Sequence, residues 1–132
     1  MSMTYEQLLD RLITDGIAEV REAYADPEEH HKRDGAIEGF EVCRGKTPAE
    51  LVSLWQAAER ECQLMRGTAR VNTPEALKGY WSQRYKALQI EWVLNVLSVG
   101  LKQPLLAHLP TARGAMKYAE IVGVRGGVEV WS

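Results

Sequence analysis

The chain has 132 residues, 45% apolar and 26% charged, with a net charge of −2 at neutral pH, the balance of a soluble globular protein of one domain. Cys43 and Cys62 form no Cys-x-x-Cys, which excludes a zinc ribbon or dithiol redox motif and points to a reduced, cytoplasmic setting. The first residues lack the basic start and apolar run of a signal peptide, and Ile90 to Leu101 is too short and interrupted to span a bilayer, so no membrane partner is expected.

Nearly all the punctuation marks helices. Thr4 opens "TYEQ", a capping box in which the hydroxyl and Gln7 satisfy free N–H groups of a first turn. Leu8, Leu9, Leu12, Ile13, Ile17 and Val20 follow at helical spacing and carry the helix to about Tyr24. Asp26-Pro27 starts a second helix, with Asp26 as cap, Pro27 in the first position and Glu28 and Glu29 at the positive end of the dipole. It reaches about Cys43 and stops at Gly45.

Two similar segments follow. Residues 47–55 and 73–81 both read Thr-Pro-x-x-Leu-x-x-x-Trp, with the threonine as cap, the proline in the first turn, and the leucine and tryptophan one turn apart on one face. The pattern does not occur a third time, so it is one helix-start solution used twice and not a repeat array. The third helix ends near Arg66. The fourth runs from Pro74 to about Leu101, where Gly100 and Pro104 are expected to end it, and spans roughly 40 Å at 1.5 Å per residue. A shorter fifth helix fits Thr111 to Val122, followed by a Gly-rich turn and a short strand or extended tail. Residues 1–132 therefore read as a single all-α domain, a compact bundle of about five helices around a long central fourth helix.

Charge is unevenly divided. Residues 1–41 hold eleven acids against four bases, a net of −7, and residues 42–132 carry a net of +5. The simplest consequence is that the acidic helices pack against the basic remainder; head-to-tail association or an anionic partner would use the same split.

Four patterns are candidates for function. Within helix four, Glu91, Asn95, Ser98 and Lys102 fall in one narrow stripe that Arg84 extends upstream. Such a stripe is either the wet side or hydrogen-bond ladder of a central helix, or a groove in which Glu91 and Asn95 meet a ligand or partner. Residues 60–86 combine Arg60, Arg66, Arg70, Lys78, Arg84 and Lys86 with Tyr80, Trp81 and Tyr85, a pairing that single-stranded nucleic acid or an acidic protein surface would use. Periodicity instead places Trp81 and Tyr85 in the core, on a stripe with Leu77 and Leu88. On helix two, His30, His31, Asp34, Glu38 and Glu41 share an arc from which imidazoles and carboxylates one turn apart can chelate a divalent metal.

Finally, Glu19-x-x-Glu22 and Glu38-x-x-Glu41, on successive helices, resemble the paired acidic motifs of the all-α nucleotide pyrophosphohydrolases. That resemblance implies magnesium and pyrophosphate chemistry. Ala18 stands where the family carries a further Glu, and Glu41 where it carries Asp.

No catalytic grouping is otherwise legible, and no cofactor is expected apart from that metal alternative. With four tryptophans in so short a chain, the expectation is a non-catalytic adaptor, inhibitor or regulator that acts by contact with a protein partner or a second copy. The alternatives are a metal-dependent hydrolase using helix two and a nucleic-acid-binding accessory protein using residues 60–86.

Overall fold

The computed structural model describes residues 3–68, 72–106 and 113–121. Five α-helices account for most of them: α1 (Tyr5–Ala23), α2 (His30–Glu41), α3 (Pro48–Arg66), α4 (Pro74–Leu101) and α5 (Arg113–Ile121). Among these residues the all-α expectation holds. α4 packs against each of the other helices, whereas the backbone of α1 packs against α2 and α4. The strand or tail expected after Val122 lies outside the described residues.

The caps form as their chemistry requires. Thr4 and Thr47 each close a full capping box, with Gln7 and Glu50 reaching back to the cap N–H. Thr73 caps α4 by accepting from Ala76 N at 3.1 Å. Asp26 behaves differently from expectation. Its carboxylate accepts from Glu28 N at 2.9 Å, and its carbonyl accepts from Glu29 N at 2.8 Å. This i to i+3 bonding makes Pro27–Glu29 a separate 3-10 turn, and α2 begins only at His30. At the other end α2 closes at Glu41, and a tight turn leads to Gly45, whose φ of +67° suits a residue without Cβ.

The core is built from Leu8, Leu12 and Ile13 of α1, Phe40 of α2, Leu51 of α3 and Ile90, Val93, Leu94 and Leu97 of α4. α2 enters it in an unusual way. Its buried residues are Gly35, Ala36, Gly39 and Phe40, so half of that face has no side chain. A Cβ at Gly35 would overlap the Ser82 carbonyl, and one at Gly39 would lie 2.5 Å from the Lys86 carbonyl oxygen. The two glycines are one turn apart and so are their partners on α4, so the two backbones cross in direct contact. The same device recurs at the α1–α2 crossing, where the Phe40 ring fills the space a side chain at Gly16 would need.

The acidic and basic parts meet within the molecule. Lys86 of α4 pairs with Glu38 of α2 at 3.0 Å, and Arg44 is forked between Asp10 of α1 at 3.1 Å and Glu41 at 2.7 Å. Exposed pairs of this kind contribute little to stability, but they fix which faces meet.

α4 does not end at Gly100, which is buried inside the helix. Lys102 takes the left-handed position instead, with φ 56° and ψ 34°, and its N–H and that of Gln103 return to the last carbonyls. Ser98 completes the stop, its hydroxyl donating to Leu94 O at 2.7 Å and accepting from Leu105 N at 3.0 Å.

Candidate functional site

The α3–α4 hairpin carries the most distinctive surface. Near the start of α4, Leu77 and Trp81, one turn apart, are 44% and 41% exposed. Of the core stripe expected of Leu77, Trp81 and Tyr85, Tyr85 packs against the core while Leu77 and Trp81 stay exposed. Leu64 of α3 is also exposed.

The Trp81 ring is nonetheless held. Tyr80 stands edge-on to it, with centroids 5.4 Å apart and planes at 71°, and Tyr85 lies 6.4 Å away on the next turn. Tyr80 is itself buried, and its hydroxyl accepts from Nε of Arg66 at 3.2 Å and from Nη2. The Arg66 guanidinium also lies 5.6 Å from the Tyr80 ring centre. On the other side Tyr85 meets Tyr24, edge to face at 5.5 Å, with the Lys32 ammonium 5.9 Å from its ring centre. Burial, followed by a hydrogen bond to Tyr85, pushes the Tyr24 phenol up to about 12. A line of four aromatic rings therefore runs from the α3–α4 hairpin to the end of α1, with Trp81 its most exposed member.

Of the bases in this region, Arg84 pairs with Glu59 of α3 at 2.8 Å and Lys86 pairs with Glu38. Arg66 is spent on Tyr80, Arg60 and Lys78 are exposed, and Arg70 lies outside the described residues. Arg84 and Lys86 are therefore committed to acids within the fold, while Arg60, Arg66 and Lys78 keep exposed positive charge.

The polar stripe of α4 is not one site. Arg84 belongs to the α3 ion pair, Glu91 and Asn95 are half-buried, Ser98 is buried in the helix stop, and Lys102 is exposed as its left-handed cap. The series thus combines an interhelical clamp with a termination device.

The helix-two residues also go separate ways. The His30 ring lies 3.2 Å from Ala25 O, Asp34 meets Arg33, Glu38 meets Lys86 and Glu41 meets Arg44. The Arg44 hydrogen bond holds the Glu41 carboxyl below its ordinary range. Among the described residues no group of three or more His, Cys, Asp or Glu side chains is placed to hold a metal ion. The paired Glu-x-x-Glu motifs therefore form no shared carboxylate site.

The cysteines are buried thiols. Burial pushes Cys43 up to about 12, and its Sγ donates to Gly39 O at 3.3 Å, so it is a packing group and not a nucleophile. A cavity of about 480 Å³ lies between α1 and the α2–α3 turn. Its rim carries Arg44 and Lys46 but also Glu6 and Asp10, and Tyr5 closes it by donating to Lys46 O at 2.7 Å. Charges of both signs around it single out no ligand class.

Sequence reasoning found Tyr80, Trp81, Tyr85 and Arg66 but missed Leu77 and Tyr24. The available signal was the second Thr-Pro-x-x-Leu-x-x-x-Trp segment, whose Leu-Trp face has too few apolar neighbours to be covered. Comparison with protein families, curated proteins and solved structures finds nothing that matches this chain. Fold and site together define a small all-α bundle with one exposed, braced aromatic face, and among its described residues no helix is long and apolar enough to cross a membrane.

Proposed function

We propose that the protein works by contact, as a small helical adaptor, inhibitor or regulator whose docking face is Leu77 and Trp81. The supporting observation is that Trp81 is exposed and yet braced by Tyr80 and Tyr85. Tryptophan anchors dominate binding energy at interfaces, and an anchor already held in place loses little freedom on docking. A nucleic-acid surface would need arginines and lysines free to neutralise phosphates, and Arg84 and Lys86 are engaged with acids. The buried cysteine thiols suit a reducing, cytoplasmic compartment.

The test is a photo-crosslinking residue placed at position 81 in the native host, with position 53 of α3 as control. The expected result is a discrete adduct at 81 alone, lost when excess unlabelled protein competes but retained when the competitor carries Leu77→Asp. Sedimentation from micromolar to millimolar concentration shows whether the adduct is a second copy. Equal labelling at both positions, together with a monomer throughout, would overturn the proposal.

A further inference from the structure

A second feature lies on a different part of the surface. α1 and α4 flank α2, and between them a furrow of about 270 Å³ opens. Its floor is the Phe40 ring, α1 supplies Val20, Glu19 and Tyr24, and α4 supplies Trp92 and Gln89. Beside it Tyr118 of α5 sets its ring edge-on to Trp92, with centroids 6.2 Å apart, and donates its hydroxyl to Asp15 at 2.9 Å.

The chemistry of the lining has one sign. Three aromatic rings face or floor the furrow, and the polar groups are a carboxylate, an amide and a phenol. None of the described lining residues is lysine or arginine. Asp15 is already occupied by Arg11 at 3.5 Å and by Tyr118, whereas Glu19 has no basic partner among the described residues and is exposed at the rim. An anion would be repelled there, and a neutral guest would gain nothing from the carboxylate. A small metal ion would find a single carboxylate and too few oxygens.

We infer that this furrow binds an organic ammonium ion, with a methylated ammonium as its best guest. A quaternary head is weakly hydrated and spreads its charge over methyl groups, so it can rest against Trp92 and Tyr24 while Glu19 balances the charge. The same head occurs on free choline-like metabolites and on trimethylated lysine side chains. Tyr24 belongs both to the furrow and to the line of rings that ends at Trp81, but neither Leu77 nor Trp81 lines the furrow, so the inference does not depend on the contact function.

The experiment follows the Trp92 indole resonance of the full chain by NMR. The titrants are choline chloride, its neutral isostere 3,3-dimethylbutan-1-ol, a trimethyl-lysine peptide and the unmodified peptide. Saturable shifts with choline or the methylated peptide are expected, with the neutral isostere weaker by about tenfold. Glu19→Gln, on an exposed helix face, should weaken cation binding several-fold and leave the isostere unchanged, while Trp92→Phe should retain part of the affinity that Trp92→Leu loses. A methylated peptide binding at least about tenfold tighter than choline assigns a protein side chain as the guest, and comparable affinities assign a free metabolite. Equal binding of choline and its isostere, or no shift at Trp92 with any cation at millimolar concentration, would overturn the inference.

Discussion

Residues 47–55 and 73–81 share one pattern and start their helices with the same residues, yet Leu51 is fully buried whereas Leu77 is 44% exposed. Both threonines cap and both prolines sit in the first turn. The difference arises from what lies across from each helix start. Leu51 enters the single core cluster of the bundle, while Leu77 and Trp81 lie on a side of α4 that stays exposed. Local chemistry decides where a helix begins, and the neighbours decide what its face is for. The buried copy holds the fold together, and the exposed copy is the face proposed above for docking.

That contrast can be broken by mutation. Leu51→Ala should cost about 3 to 4 kcal/mol in urea denaturation, the loss expected for a fully enclosed leucine; a loss under about 1 kcal/mol would mean the two copies are equivalent after all. Gly35→Ala should cost about 2 kcal/mol net, because the Ser82 backbone cannot yield and the helix-propensity gain of alanine offsets only part of the overlap. The same substitution at Gly67, where a Cβ would come no closer than 3.4 Å to Gln63 O, serves as the tolerant control. Thr47→Ala and Thr73→Ala should each cost about 1 kcal/mol, and they should separate in acid. Thr47 has a reciprocal partner in Glu50, whose carboxyl is held below its ordinary 4.5 by hydrogen bonds from the Thr47 backbone and side chain. Its contribution is complete above that value and is lost as pH falls through the lowered one, whereas the Thr73 cap has Ala76 in that place and should not respond. Amide exchange in the first turns of α3 and α4 measures this directly. Smallest of all, Leu77→Ala should change stability by no more than about 0.5 kcal/mol while weakening the adduct at position 81.

The helix order, the three threonine caps and the central role of α4 were legible because capping residues, prolines and apolar spacing act locally. α2 was the least legible element. It reads as a wet, acidic helix because hydropathy gives no weight to Gly35 and Gly39, and the packing there is backbone against backbone. The signal was Gly35-Ala-Ile-Glu-Gly39, two glycines one turn apart. The site was half legible for a related reason. Trp81, Tyr85 and Arg66 stand out by type, but whether an aromatic stripe is core or surface depends on how far each neighbouring helix extends. The furrow between α1 and α4 was not legible at all, since its lining comes from three helices and Phe40 reads as an ordinary core residue.

The glycine crossing also bears on the order in which the bundle assembles. The α3–α4 hairpin joins neighbours in the chain, whereas the Glu38–Lys86 pair beside the crossing closes 48 residues. Closing the longer loop is entropically costlier and yields little until both glycines are seated in register. The hairpin should therefore form early and α1–α2 should dock last as a unit, and the same unit should detach first under native conditions. Between those events Phe40, Ala87 and Ile90 would lie open together, so the interlock that gives the mature bundle its tightest seam also marks where a half-assembled chain is most prone to stick to its neighbours.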